Sequence, residues 1–377
     1  MTDTYDVVVA GAGPAGSLAA LLLARAGMSV LLAEKSAWPR DKVCGGCLNA
    51  RGVDLLQSES LDLPSLKNQQ SYDSMRLVGF GSVVDLPLTQ GRIIDRRVFD
   101  AELVDASIRE GVHFLPEHRV ALFDGDNRDD GLRIMLKAGA NTRVVSTGYM
   151  IDATGVGQQT TPTSWVQDRR CLVGVSATVL RSDWPAEVPA PGQMVMAVRP
   201  EGYVGVVLLG DDRVHAAAAI RPSVIQRRRS GVAAVVADML MASPTQADSD
   251  SLTRMIWKGT GLLNRHASPA ASHRWFRVGD AAGYREPFTG EGITRALESA
   301  RHLAQLLLSE KDTPAQEQIW NRWCFHRYQR QWPCRLVSDL IANPIAARVS
   351  LALLSRLPVL AQPILRSIQA DVPRGVS

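Results

Sequence analysis

Gly11, Gly13 and Gly16 stand at G-x-G-x-x-G spacing in the run Gly11-Ala12-Gly13-Pro14-Ala15-Gly16, directly after a β-branched stretch and before a helical pattern. Gly11 permits a tight turn, Gly13 lets backbone approach a pyrophosphate, and Gly16 allows close packing of helix on strand. A helix opening at Pro14 and Ala15 offers its N–H groups and positive dipole end to phosphates. The dipeptide Glu34-Lys35 follows about 20 residues on, where an acidic side chain can accept ribose hydroxyls. A second glycine-rich turn lies far along the chain: Gly279-Asp280-Ala281-Ala282-Gly283, then Pro287, then Thr289-Gly290-Glu291-Gly292-Ile293. There Asp280 can accept hydrogen bonds from a polyol chain. Gly290 and Gly292 let a helix N-terminus at Ile293 approach a flavin ring and stabilise charge on its reduced form. The first turn alone does not separate NAD from FAD; the two together point to one long cofactor, FAD, gripped at both ends.

These residues need a scaffold, and the hydrophobic pattern supplies one. Tyr5–Ala10 reads as a buried parallel strand, Pro14–Ala26 as a helix stopped at Gly27, and Ser29–Ala33 as a second strand, which makes a βαβ unit. Residues 35–60 mix loop signals with a helix, Ser74–Leu86 alternates as exposed sheet, Arg97–Glu110 has helical spacing, and Tyr149–Gly155 is a strand ending in a tight turn. Strands at 172–180, 193–198, 203–209 and 214–220 predict an antiparallel sheet. A helix over 222–242, a loop over Ser243–Ser251 and a strand over 252–258 follow. After Phe276 the strand–turn–helix pattern returns, and the chain is mostly helical from 293. The fold class is therefore α/β: a Rossmann-type FAD-binding domain with a parallel sheet, an inserted, mainly antiparallel β substrate domain, and C-terminal helices. The expected boundaries are 1–70, 95–159 and 261–310 for the FAD-binding domain, 71–94 and 160–260 for the substrate domain, and 311–377 for the helical region.

Composition narrows the function. The net charge of +4 is too mild for a nucleic-acid surface, and Arg227-Arg228-Arg229 reads as a solvated helix face. No run reaches the roughly 20 uncharged apolar residues of a spanning helix. The strand pattern begins almost at once, leaving no room for a signal peptide, so a cytoplasmic protein is expected. The five cysteines do not make a disulfide framework. Cys44-Gly45-Gly46-Cys47 has the C-x-x-C spacing of a redox pair or of half a zinc site, but no second half exists, so no metal is expected. Three readings stay open for it: a dithiol that reports to the flavin, a loop in which Gly45 and Gly46 pass the isoalloxazine while Cys44 lines the pocket, and simple packing. Cys171, Cys324 and Cys334 read as core positions. No His, Asp or Glu pair has acid–base spacing, and flavin chemistry does not require one. Glu291 either faces the flavin or caps its helix; His215 and Tyr203 fall on substrate-domain strands, His215 as a buried, satisfied histidine. From Trp320 to Ile368, apolar stretches alternate with Arg322, Arg327, Arg330, Arg335, Arg348, Arg356 and Arg366, cut by Pro333, Pro344, Pro358 and Pro363. Such helices either touch a membrane surface peripherally or cover the substrate domain.

The G-x-G-x-x-G, the Gly279-Asp280 pair with Pro287, and the Thr289–Ile293 run resemble the para-hydroxybenzoate-hydroxylase superfamily of FAD enzymes. Within it, Pro39-Arg40-Asp41-Lys42-Val43-Cys44-Gly45-Gly46 and Thr289–Ile293 are most similar to the geranylgeranyl reductase family. Asp95-Arg96 with Phe99-Asp100 matches a family element whose arginine, here Arg96, helps hold the cofactor. The resemblance spans residues 5 to about 300. It implies an FAD-dependent oxidoreductase acting on a hydrophobic small molecule, foremost by reducing C=C bonds in an isoprenoid-like substrate. An aromatic or polyketide monooxygenase and a flavin-binding redox sensor are the alternatives. NAD(P)H is a candidate electron donor, and the redox donor is left unassigned. Three departures bear on this. Asp152-Ala153-Thr154-Gly155 replaces the Asp-Gly motif that bridges FAD and reduced pyridine nucleotide. Gly202–Leu208 keeps Tyr203 but lacks the tryptophan and proline of the lipid-facing motif. The tryptophan motif and catalytic lysine of flavin halogenases, expected after the first nucleotide helix, are not found.

Overall fold

The computed structural model describes residues 3–123, 131–157, 160, 164–167, 171–227, 231–241, 249–284, 290–309, 311–329 and 332–369. The chain opens with β1 (Thr4–Ala10), α1 (Pro14–Arg25) and β2 (Val30–Ala33). The two strands pair in parallel, from Val7 opposite Val30 to Ala10 opposite Ala33. Their paired stretches are buried on both faces, which is why they read as unbroken apolar runs.

Next come β3 (Cys47–Leu48), α2 (Ala50–Ser58) and α3 (Pro64–Asn68), then a hairpin of β4 (Ser71–Gly79) and β5 (Ser82–Ile93). The hairpin is not simply exposed, as its alternation suggested. Met75, Leu77, Val84 and Leu86 are buried, because one face of the hairpin lies over the second sheet's core. Helix α4 (Arg96–Arg109) is capped by Asp95, whose carboxylate accepts from the Arg97 N–H at 2.8 Å. It returns the chain to β6 (His113–Leu115), parallel to β2. A meander of β7 (Arg119–Leu122), β8 (Leu132–Ala138) and β9 (Asn141–Asp152) then places β9 parallel to β1 on its other side.

After β10 (Ser164–Gln167), the strands β11 (Val173–Leu180), β12 (Gln193–Arg199), β13 (Gly202–Leu208) and β14 (Arg213–Ile220) follow the sequence expectation closely. The helix expected over 222–242 is two, α5 (Pro222–Arg227) and α6 (Gly231–Met241). Gly231 has φ +81°, a left-handed conformation that a continuous helix does not hold. The strand expected at 252–258 is instead α7 (Ser249–Arg254) followed by β15 (Lys258–Leu262). Leu252 is buried against Val235, Val236 and Leu240 of α6, so packing overrode the strand-like pattern. The expected loop at 243–251 ends inside α7, and its earlier part lies outside the described residues, as do Arg228 and Arg229.

The second sheet runs β15-β11-β14-β13-β12-β4-β5-β3, antiparallel except where β12 meets β4. Short strands β16 (Arg265–Ser268) and β17 (Ala271–Ser272) precede β18 (Trp275–Arg277), which rejoins the first sheet parallel to β9. The first sheet's main path is thus β17-β18-β9-β1-β2-β6. The pair β19 (Gly283–Tyr284) leads to α8 (Gly292–Leu307), then α9 (Thr313–Gln329), α10 (Trp332–Ala342), α11 (Pro344–Arg356) and α12 (Gln362–Gln369). Leu18, Leu21 and Leu23 of α1, Phe99 and Leu103 of α4, and Leu297 and Leu303 of α8 form one core on the first sheet. This is an α/β fold with a Rossmann-type parallel sheet. Among the described residues, no helix is long and apolar enough to cross a membrane.

Candidate active site

A single cavity begins at the C-terminal ends of β1 and β2, where open parallel sheets bind ligands, and continues across the face of the second sheet. Gly11, Gly13, Pro14, Ala15, Glu34, Lys35, Cys44, Gly45, Arg96, Asp280, Gly290, Gly292 and Ile293 all line it. Two expected residues stand behind its wall. A Cβ on Gly16 would sit 1.9 Å from the Gly11 carbonyl oxygen, so this glycine serves the contact between α1 and β1. Gly46 packs against the Ile94 carbonyl and the His215 ring. Pro287 and Thr289 lie outside the described residues.

Charge at the nucleotide end is arranged around Asp100, a fully buried residue of α4. Its carboxylate accepts from Arg96 Nε and Nη2, both at 2.8 Å, and from Arg40 Nη1 at 3.1 Å. Arg40 also donates to Glu34 at 3.1 Å, and Glu34 accepts further from the N–H groups of Ala12 and Ser36. Burial pushes the Glu34 carboxyl up, but the Arg40 charge and these hydrogen bonds outweigh it and hold its pKa below the ordinary value. Glu34 is therefore a partner of Arg40 first, with lone pairs left over for a ribose. A depressed pKa contributes stability above the unfolded value, about 4.3, and loses it as pH falls through the folded one. The stability gap between the wild type and Glu34→Gln is accordingly expected to be full at neutral pH and to close below pH ~4. Denaturant melts across that range check this, and a constant gap would refute it.

Asp280 follows β18 in a short turn and faces Lys42, Arg96, Arg265 and Arg295. Burial raises its pKa despite those four cations. Neither Asp280 nor Lys42 makes a hydrogen bond or an ion pair within 4 Å among the described residues. The Lys42 pKa is lowered by burial and by Arg40 and Arg96. Lys42 stands in the Pro39–Gly46 run that carried the resemblance, but no role of its own followed from the sequence. Its ammonium comes near Gly155, since a Cβ there would lie 3.5 Å from Nζ.

The α8 N-terminus has no side-chain cap. Glu291, just before it, is buried and pairs with Arg51 at 3.3 Å and with Arg295, which fixes the entry of the helix. Asn49 Oδ1 accepts from the Thr294 hydroxyl at 2.7 Å and from the Gly52 N–H at 3.1 Å, joining α2 to α8. On the opposite side, His215 Nε2 donates to the Cys44 carbonyl at 2.7 Å while Nδ1 accepts from the Thr178 hydroxyl at 2.7 Å. Both ring nitrogens are used, and burial lowers the pKa, so the imidazole is neutral and braces the Cys44–Cys47 loop. Cys44 and Cys47 are free thiols. Burial pushes the Cys47 thiol up to about 12, and it contacts Met194 Sδ at 3.1 Å. Asp152 does not reach the cavity: its carboxylate accepts from Thr154 N and Oγ1 and pairs with buried Arg277 at 3.7 Å.

FAD fits this site on the site's own geometry. A Cβ on Gly13 would meet only the guanidinium tips of Arg40 and Arg96, at 3.7 and 3.9 Å, which marks an open cradle for a pyrophosphate. Asp280 presents a carboxylate without a protein hydrogen bond to the same cavity, suited to a polyol. Replacing Asp280 with alanine is expected to weaken FAD binding about tenfold with the fold intact, since one charge-assisted hydrogen bond to ligand is lost and none to protein. Flavin titration and unfolding of the apo-protein read the two effects separately.

Known proteins agree. The menaquinone reductase of Mycolicibacterium smegmatis is 28% identical over 388 residues, covering 95% of this chain and 86% of that protein. Digeranylgeranylglycerophospholipid reductase 1 of Methanococcoides burtonii is 25% identical over 371 residues, covering 92% and 83%. Two solved structures share the fold: a flavin-dependent brominase (TM-score 0.74, 18% identity, 97% of this chain and 93% of that one) and a geranylgeranyl bacteriochlorophyll reductase-like protein from Thermoplasma acidophilum (TM-score 0.73, 18%, 99% and 97%). Residues 4–332 match the family described as FAD binding domain, and the chain belongs to that family as an FAD-dependent oxidoreductase.

Proposed function

We propose that this protein reduces carbon–carbon double bonds of an isoprenoid-like, lipophilic substrate. The chemistry of the cavity wall on the second sheet carries the reading. Met75, Met194, Met196, Val206, Ala219 and Leu263 are among its residues, and no charged side chain reaches the cavity from the strands β4, β5 or β11–β15. Such a wall suits a polyisoprenoid, which has no polar group to satisfy, better than a ligand with many hydrogen-bonding groups. That two relatives spanning most of the chain are named as reductases of menaquinone and of a digeranylgeranyl lipid supports the same direction.

Reduced FAD supplies hydride chemistry; the chain supplies position, dryness and a proton. The α8 N-terminus opens on the cavity at Gly292 and Ile293, where its N–H groups would favour negative charge on a reduced flavin. Tyr72 lines the apolar wall, is buried, and makes no hydrogen bond among the described residues. Burial raises its pKa, so the hydroxyl keeps its proton at neutral pH for delivery to the second alkene carbon. Cys47 equally remains a thiol, which argues for pocket lining over thiolate redox exchange. With Asp152 committed to Thr154 and Arg277, the turn after β9 offers no free carboxylate for docking NAD(P)H.

The test is an anaerobic assay of dithionite-reduced protein with a menaquinone and with a geranylgeranyl lipid. The expected product is heavier by one pair of hydrogens, and Tyr72→Phe slows its formation with the flavin spectrum unchanged. Substrate-coupled oxygen uptake, with one oxygen atom retained in product, would replace this reading with a monooxygenase. Parallel reductions with NADH and NADPH identify the donor.

A further inference from the structure

Helix α11 is apolar on two opposed faces. Its inner face places Leu351 and Leu354 in the cluster that contains Met75, Tyr203, Ala361 and Leu365. Met75, Tyr203 and Leu365 also line the cavity, so α11 and α12 cover the back of its apolar half. The outer face is the unusual one. Ile345 is 77% exposed and Val349 62%, and Leu353 follows at the next helical turn. Leu357, Val359 and Leu360 extend the ridge past the helix end, all of them exposed. A surface helix ordinarily turns polar residues outward, and a contiguous exposed apolar strip marks a contact surface.

Charge identifies the occupant. From Asn343 to Gln369 the chain has no aspartate or glutamate, while exposed Arg348 and Arg356 flank the ridge. An apolar strip edged by arginines, with no acid to repel phosphate, matches the headgroup boundary of an anionic bilayer. The arginine stems can lie along the apolar face while their heads reach the phosphates. A second copy of the chain fits less well. A two-fold contact through this ridge would bring the Arg348 and Arg356 charges of both copies into one interface, with no acidic partner in the segment.

We propose that the Ile345–Leu360 ridge docks on an anionic lipid surface. The inner face of the same helix covers the apolar cavity, so a lipid substrate enters from the bilayer beside α11 and α12. The entry route rests on the reductase reading above; the docking does not.

Purified, FAD-loaded protein is sedimented with phosphatidylcholine vesicles that contain or lack phosphatidylglycerol. It is expected to sediment with the anionic vesicles, less so at high salt. The Ile345→Ser, Val349→Ser, Leu353→Ser triple variant is expected to bind about tenfold less, with its flavin spectrum unchanged because those side chains are exposed. Arg348→Glu with Arg356→Glu should remove the dependence on phosphatidylglycerol and salt. The proposal is overturned if wild type stays in the supernatant, or if both variants bind as wild type does. It is equally overturned if wild type is a dimer that the triple variant turns into a monomer. Loss of the reductase reading would leave vesicle binding unchanged, so the two fail separately.

Discussion

Gly13→Val yields folded protein without flavin. The Cβ of residue 13 points between the α1 N-terminus and the guanidinium tips of Arg40 and Arg96, where it would touch no backbone. A valine there fills the approach to the pyrophosphate while leaving the surrounding packing alone. Losing two charge-assisted hydrogen bonds, at about 1.5–3 kcal/mol each, weakens binding by roughly 100-fold or more. The two neighbouring glycines make the control. A Cβ on Gly11 would lie 2.5 Å from the Ala153 carbonyl oxygen at φ +105°, and one on Gly16 would lie 1.9 Å from Gly11. Alanine at either position should cost folded protein, not merely cofactor. Absorbance in the flavin bands and gel filtration together separate the outcomes, and a yellow Gly13→Val protein would refute the placement.

Asp100→Ala is expected to be the most destabilising single change at the site, by about 3–5 kcal/mol. Asp100 is buried completely and neutralises two guanidiniums that are themselves largely buried. Its removal leaves Arg40 with Glu34 but takes the only carboxylate bonded to Arg96 among the described residues. Breaking a buried pair from one side is costly because the remaining charge has neither water nor counter-ion. Denaturant unfolding of the apo-proteins measures this without the stabilisation that bound FAD would add. A loss under ~1 kcal/mol would mean that water readily solvates the arginines.

The parts of this protein written in local patterns were readable in advance. The β1–α1–β2 unit and its glycine turn follow from an apolar run, a helix-forming stretch and glycine spacing. The strands from 173 to 220 follow from repeated short apolar segments. Pairings between distant segments were not readable. Nothing local says that β12 lies parallel to β4, with Gln193 opposite Ser74. Arg40, Lys42 and Asp100 stood inside the runs that carried the resemblance, but no role of their own followed from the local pattern. Their importance comes from convergence, since Arg40 and Asp100 are 60 positions apart and meet only in the folded chain. At α7 the pattern misled, because burial of Leu252 on α6 decided the backbone.

The contact between the two glycine-rich turns sets a schedule for the protein's synthesis. Gly279 lies so close to α1 that a Cβ there would be 3.1 Å from that of Ala15, and α8 packs along the same helix. One half of the cradle, Gly11–Gly16, is therefore translated more than 250 residues before the other, Gly279–Gly292. At about 5–20 residues per second, the first half waits on the order of 15–60 seconds for its complement. During that interval the core that Leu18, Leu21 and Leu23 share with Leu297 and Leu303 of α8 is incomplete, a period in which a chaperone has something to hold. Nascent chains arrested before Gly292 should show no bound flavin fluorescence, whereas chains released after α9 should acquire it.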